Sequence, residues 1–316
     1  MTEVNPNQKK KRRKNRRWPL VLVFLLGLAI LSYPLISRWY YEIDATSAIR
    51  DFDAGRSQLD SAEVEERLNL ARAYNEAIIT TSLDDPYAEE HAAGLAEYAR
   101  MLEIHEKMGY VQIPKINVEI PMYAGTSEVV LQKGVGHLEG TSLPVGGNST
   151  HSVLTAHRGL PNARLFSELD QLEVGDKFYI HNLAGTMAYQ VDQVKVIEPS
   201  DFSDLLVVPG HDYVTLLTCT PYMINSHRLL VRGHQVDYVA EVEEAFIAEN
   251  EAAYFYKYAF FATLGVLLFV LFVLFVGWIK KRRASKKAKQ AMVKQEAASQ
   301  ETKVDSIEPE KGVKED

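Results

Sequence analysis

Two long apolar runs without a charged residue constrain the fold of this chain more than any other feature. Residues 18–36 form the first run and follow a cluster of eight Lys and Arg residues; residues 259–279 form the second and precede four more at 280–283. Each run is long enough to cross about 30 Å of hydrocarbon as a helix. A buried core helix is the alternative, but adjoining basic clusters favour membrane-spanning helices. We assign transmembrane helices to residues 18–38 and 259–279.

The basic clusters also predict the orientation of the chain. Lys and Arg concentrate on the cytoplasmic side of membrane spans, so both termini are expected in the cytoplasm: a basic tail over residues 1–17 and a disordered tail over residues 280–316. The segment between the spans then lies outside the cell. A cleaved signal peptide is the alternative for the first run, but the small residues beginning at Ala45 lie well beyond it, which favours an uncleaved anchor.

The segment between the spans is strongly acidic. Residues 41–257 carry 15 Lys and Arg against 34 Asp and Glu, a formal net charge of −19. An acidic domain between two basic flanks argues against nucleic acid as a partner and makes the lipid bilayer the expected one. The single cysteine, Cys219, cannot form an internal disulfide.

The sequence pattern divides the extracellular segment in two. Residues 39–108 are predicted to be mostly helical, with a turn at residues 82–88 and a helical pattern that resumes over residues 89–107. Residues 109–240 contain short alternating segments separated by turns, which predict seven or eight strands in a closed or nearly closed β-barrel with short helices. An acidic linker helix is expected at residues 241–257. The predicted class is therefore mainly β.

Cys219 is the first candidate for chemistry. It lies at the end of a strand-like run, and Arg228 follows nine residues later at the start of another. A connection of that length lets the second strand return beside the first, which would bring the guanidinium near the thiol. A nearby positive charge favours the reactive thiolate. A buried structural cysteine remains the alternative, because free cysteines are often buried.

A thiol nucleophile needs a partner for proton transfer, usually a histidine. His157 also ends a predicted strand and is the leading candidate, with His227, next to Arg228, as its rival. The other histidines considered lie in ordinary strand or turn contexts: His137, His151, His181, His211 and His234. No spacing typical of metal ligands is present, so neither a metal nor a cofactor is expected.

These residues resemble a known family. The run Thr215-Leu216-Leu217-Thr218-Cys219, with Arg228 downstream and His157 upstream, is similar to the TLxTC pattern of the sortases. The resemblance covers about residues 109–238. The residues after Cys219 and the second apolar run resemble class C, the pilus-assembling sortases of Gram-positive cell surfaces. Asp85-Pro86-Tyr87 looks like the lid motif of that class, although its third residue is more often Phe or Trp.

The resemblance implies a reaction and a partner. Cys219 would attack the Thr–Gly bond of an LPxTG-like sorting signal on a pilin, His157 would transfer protons, and Arg228 would hold substrate or the oxyanion. An acceptor lysine of another pilin would then form an isopeptide bond. Three alternatives remain: a sortase that anchors proteins to peptidoglycan, a non-catalytic assembly module, and a cysteine protease, which Arg228 fits poorly.

Overall fold

The N-terminal part of the chain is helical. The structure, a computed structural model, describes residues 18–78 and 97–304. Helix α1 (Trp18–Gln58) begins with the first apolar run and continues past it without a break. Helix α2 (Ser61–Ala77) is capped by Asp60, whose side chain accepts a hydrogen bond from the backbone N–H of Glu63, as N-terminal capping residues do.

The approach to the barrel differs from the prediction. The helical pattern over residues 89–107 predicts a helix, but its described part is a short 3-10 helix, Glu97–Leu102, followed by a β-bridge between Ile104 and Lys107. Leu102 and Met108 are completely buried. Their packing into the core decides the backbone here, because tertiary contacts override weak local helix propensity.

Eight strands and one short helix, α3 (Glu128–Lys133), form the body of the protein. The strands are β1 (Gly109–Ile113), β2 (Val118–Ala124), β3 (Val135–His137), β4 (Thr150–Thr155), β5 (Lys177–Asn182), β6 (Gly185–Ile197), β7 (Asp212–Thr220) and β8 (His227–Val236). They close into a barrel in the order β1-β2-β3-β4-β7-β8-β6-β5. This confirms the predicted mainly β class and the closed barrel.

The two faces of β7 pack into different apolar clusters. Leu216 belongs to the large core cluster together with residues from most of the other strands. Leu217, the next residue, belongs to a small second cluster that includes Leu205 from the β6–β7 connection. Because side chains alternate along a strand, Cys219 lies on the face of Leu217, outside the barrel interior.

The C-terminal part of the chain is one long helix, α4 (Ala240–Val304). The chain divides into two compact units, Met1–Glu251 and Ala252–Asp316, and the described part of the second unit belongs to this helix. Among the residues that the structure describes, one stretch, Ala240–Ser285, is long and apolar enough to cross a membrane. The first apolar run is helical as well, and its membrane crossing stays a prediction.

The C-terminal tail, residues 280–316, also differs from the prediction. A disordered tail was expected over residues 280–316, but α4 continues to Val304, and residues 305–316 lie outside the described part. Residues 284–304 are rich in Ala, Lys, Gln and Glu and contain neither Gly nor Pro. These residue types have high helix propensity, so low hydrophobicity alone was an insufficient sign of disorder.

Candidate active site

Cys219 and Arg228 occupy directly opposed positions on neighbouring strands. Strand β8 runs antiparallel to β7, and the register pairs Cys219 with Arg228. Opposed residues in an antiparallel pair lie on the same face, with Cβ atoms about 4.5–5.5 Å apart. The connecting loop closes through backbone N–H bonds of 3.0 Å from Ile224 and Asn225 to the Pro221 carbonyl. The structure therefore brings the thiol and the guanidinium to one face, as the sequence spacing predicts.

Arg228 is held by the loop that precedes it. Arg228 is only 6% exposed. Its Nη1 donates hydrogen bonds of 3.1 Å to the carbonyls of Asn225 and His227. Cys219 is also 6% exposed. Its burial fits the alternative of a structural cysteine, but a purely structural thiol would not be expected to lie opposite a buried guanidinium, since buried charges are costly.

His157 lies at the same edge of the barrel as Cys219. Strand β4 runs parallel to β7, and the last pair in their register is Thr155 with Leu217. The pairing extends one residue further, because Ala156 donates its N–H to the Leu217 carbonyl (3.2 Å) and the Thr218 hydroxyl donates to the Ala156 carbonyl (2.7 Å). His157 and Cys219 each lie two residues beyond this last register pair. The two candidate residues therefore follow the ends of neighbouring paired segments.

The ring of His157 contacts a carboxylate that the sequence analysis missed. Its Nε2 lies 3.1 Å from Oε2 of Glu128 in the first turn of α3. A carboxylate only accepts hydrogen bonds, so Nε2 carries the proton in this contact. The two residues are 29 positions apart, and no motif in the sequence marks Glu128.

The rival histidine, His227, has different surroundings. It is paired with Thr220 in the register, so its side chain projects from the face of β8 opposite to that of Arg228. Its Nε2 lies 3.2 Å from Oε1 of Glu198 and its Nδ1 lies 2.8 Å from the Ser226 hydroxyl. These contacts favour His157 over His227 as the partner of the thiol.

Three further histidines are wholly or partly buried: His137 and His151 lie in the core, and His181 is half-buried. Burial lowers the pKa of His137, His151 and His181 to about 4 in each case. His137 illustrates the pattern: its Nδ1 accepts a hydrogen bond from Tyr98, and its Nε2 donates to the Ser142 carbonyl, both at 2.8 Å. Neutral, hydrogen-bonded imidazoles of this kind serve the fold, as expected from their sequence contexts.

Acid is expected to destabilise the protein through these histidines. Their folded pKa of about 4 lies below the ordinary 6.5, so the unfolded chain binds more protons between these values. The stabilisation is complete above pH 6.5 and is lost as the pH falls toward 4, by up to about 1.4 kcal/mol per pH unit for each histidine. Burial raises the pKa of Asp212, which acts in the opposite direction.

Unfolding followed by circular dichroism across this pH range measures the slope. His151→Gln should flatten the slope by about one proton. Equal slopes for the wild type and His151→Gln would contradict the assignment of His151 as a neutral core residue.

The remaining site predictions fall elsewhere. The lid residues Asp85, Pro86 and Tyr87 lie outside the described residues. Within residues 18–78 and 97–304, no group of three or more His, Cys, Asp or Glu side chains is arranged to hold a metal ion. The candidate site therefore consists of Cys219, Arg228 and His157.

Comparisons with known proteins agree with the sequence motifs. The family model described as Sortase domain matches residues 111–236. Sortase A of Bacillus anthracis is 24% identical over 217 residues, which cover 68% of this chain and 92% of that protein. The solved structure of sortase C-1 from Streptococcus pneumoniae is 65% identical, with a TM-score of 0.59, and the match covers 60% of this chain and 98% of that one.

A second solved structure, described as the pilus-related sortase C of Group B Streptococcus, is 58% identical with a TM-score of 0.58; the match covers 60% of this chain and 97% of that one. Identity at this level over nearly the whole of both solved domains extends well beyond the motif residues. The chain belongs to the sortase family, within class C, the pilus-related sortases.

Proposed function

We propose that this chain is a membrane-anchored cysteine transpeptidase that polymerises pilins. It cleaves an LPxTG-like sorting signal between Thr and Gly and joins the Thr to a lysine of another pilin. The cross-strand pairing of Cys219 with Arg228 carries the proposal, because a positive charge beside a thiol favours the nucleophilic thiolate. The pilus-related sortase C among the solved relatives supports pilins as substrates.

The first half of the reaction forms an acyl-enzyme. The Cys219 thiolate attacks the carbonyl carbon of the threonine, and a C–S bond forms as the Thr–Gly C–N bond breaks. His157, as imidazolium, gives its proton to the departing glycine amine. Its contact with Glu128 at 3.1 Å orients the ring.

The second half transfers the acyl group. A lysine ε-amine attacks the thioester carbonyl, the amine loses a proton to the neutral His157, and the C–S bond breaks to restore the thiolate. The product is a Thr–Lys isopeptide bond. In both halves Arg228 binds the developing oxyanion or the adjacent substrate backbone, a task suited to a fixed guanidinium.

Arg228→Lys should lower kcat/KM for a sorting-signal peptide by about 10²- to 10³-fold, the cost typical of losing an oxyanion donor. Lysine keeps the charge but cannot reproduce the planar fork that donates to the Asn225 and His227 carbonyls. Arg232→Lys, four residues along the same strand and paired with Asp192, is the matched control. A similar loss in both variants would assign the effect to β8 as a whole.

The proposal is tested by the products. The full-length chain in detergent is incubated with a pilin that carries an LPxTG-like tail, and SDS-resistant ladders are sequenced by mass spectrometry. Thr–Lys isopeptide bonds are expected. Cleavage of the tail without ladders would instead point to a peptidoglycan-anchoring sortase, and an unmodified pilin would favour the non-catalytic module.

We also propose the arrangement of the chain in the membrane. Spans at residues 18–38 and 259–279 would leave the catalytic domain, residues 109–240, outside the cell and both termini in the cytoplasm. The extracellular helical region, residues 39–108, would carry the lid at residues 82–88. The flanking basic clusters support this orientation, and the lid rests on the sequence resemblance of Asp85-Pro86-Tyr87 alone.

A further inference from the structure

A second arginine with a largely covered side chain, Arg158, lies immediately after His157. Its side chain is 7% exposed, and three of its nitrogens have partners on different parts of the chain. Nη1 donates to the Thr220 hydroxyl at 3.0 Å, Nε donates to the Ser167 carbonyl at 3.2 Å, and Nη2 pairs with Asp170 at 2.6 Å. The planar guanidinium therefore fixes three groups relative to one another.

The positions of these partners give Arg158 its significance. Thr220 directly follows Cys219, and its hydroxyl is bound by the residue that directly follows His157. The backbone and hydroxyl contacts between the two chain segments reach as far as Ala156 and Thr218. The bond from Arg158 to Thr220 thus links the two segments beyond the end of the strand pairing, next to His157 and Cys219.

The loop that contains Arg158 is stabilised by hydrogen bonds between its own residues. The N–H of Phe166 donates to the His157 carbonyl, and the N–H of Gly159 donates to the Ser167 hydroxyl, each at 3.2 Å. Because Arg158 also binds the Ser167 carbonyl, a displacement of its side chain from Thr220 would be transmitted to His157 through the whole loop.

We propose that Arg158 is a positioning residue that sets the distance between the His157 imidazole and the Cys219 thiol. The inference rests on the proposed function of these two residues. The Arg158 charge is balanced by Asp170, so its effect is on geometry. Geometry at this scale matters, because a misplacement of about 1 Å can cost on the order of 10²-fold in rate.

The test compares Arg158→Lys, Thr220→Val and the double variant in the full-length chain, with Arg164→Lys as control. Arg164 lies in the same loop and pairs with Glu168 at 2.7 Å, but its other bonds go to carbonyls of the β1–β2 connection. We expect Arg158→Lys to lower kcat for a sorting-signal peptide by about 10- to 100-fold, with KM within about twofold.

Thr220→Val removes the hydroxyl while keeping the side-chain shape, and it should reproduce part of the loss. The double variant should be no slower than Arg158→Lys alone, because both changes break one contact. Additive losses, a change confined to KM, or an equal loss in Arg164→Lys would overturn the inference. The Thr220→Val result stands even if Arg158→Lys does not fold.

A measurement without substrate separates this inference from the proposed function. Cys219 is the only cysteine, so its alkylation rate by iodoacetamide at neutral pH reports on the thiol alone. Arg158→Lys and Thr220→Val should change this rate non-additively, while Arg164→Lys should not. If no peptide is turned over, the proposed function fails, and unchanged alkylation in both variants would also refute the role of Arg158.

Discussion

Cys219→Ala is expected to abolish cleavage of a sorting-signal peptide, with a loss of more than about 10⁴-fold in kcat. The reaction proposed here passes through a thioester on this sulfur, and no other cysteine in the chain can replace it. Peptide cleavage followed by mass spectrometry measures the loss. The substitution removes one buried sulfur atom and should cost about 1 kcal/mol of unfolding free energy.

Folding and catalysis are separated by a neighbouring variant. Leu217→Ala changes a completely buried residue on the same face of β7 and should destabilise the barrel more than Cys219→Ala does, by about 2–5 kcal/mol. It should nevertheless retain measurable cleavage below its melting temperature. Residual turnover by Cys219→Ala above the rate of the buffer alone would show that the thiol is not the nucleophile.

His157→Ala should lower kcat by about 10³-fold or more, because it removes the group that protonates the leaving amine and deprotonates the incoming one. His227→Ala is the matched control. Both histidines are partly exposed and contact a glutamate, at 3.1 Å and 3.2 Å respectively, but His227 projects from the other face of β8. Its replacement should therefore change kcat by less than about threefold.

The opposite pattern of losses in these two variants would assign proton transfer to His227 instead of His157. A large loss in His227→Ala and a small one in His157→Ala would make His227 the proton-transfer residue, as the sequence alone permitted. Glu128→Gln adds a graded test, because it removes only the charge that faces Nε2. It should lower kcat by less than His157→Ala does, because the imidazole stays and loses only the carboxylate that orients it.

The sequence predicts those parts of the candidate site that depend on residues close together in the chain. The eight residues between Cys219 and Arg228 are enough for a hairpin, and the register confirms that the two lie opposite each other. The strand ends expected at His157 and Cys219 lie within two residues of the observed ends, because β4 ends at Thr155 and β7 at Thr220. The barrel followed from many short strands separated by turn residues.

Other features could not be predicted because they depend on packing between distant segments. Thr220 lies 62 positions from Arg158, and Glu128 lies 29 positions from His157. Neither pair follows a spacing rule. The 3-10 helix at Glu97–Leu102 likewise forms where burial of Leu102 and Met108 outweighs local propensity.

The intact mass of the protein during turnover shows directly whether Cys219 forms an acyl-enzyme. The full-length chain is mixed with a sorting-signal peptide, quenched in acid and digested to locate any adduct. We expect a mass increase equal to the peptide up to its threonine, carried as a thioester on Cys219 and removed by hydroxylamine. Peptide cleavage with no adduct on Cys219, or an adduct on another residue, would contradict the proposed acyl-enzyme.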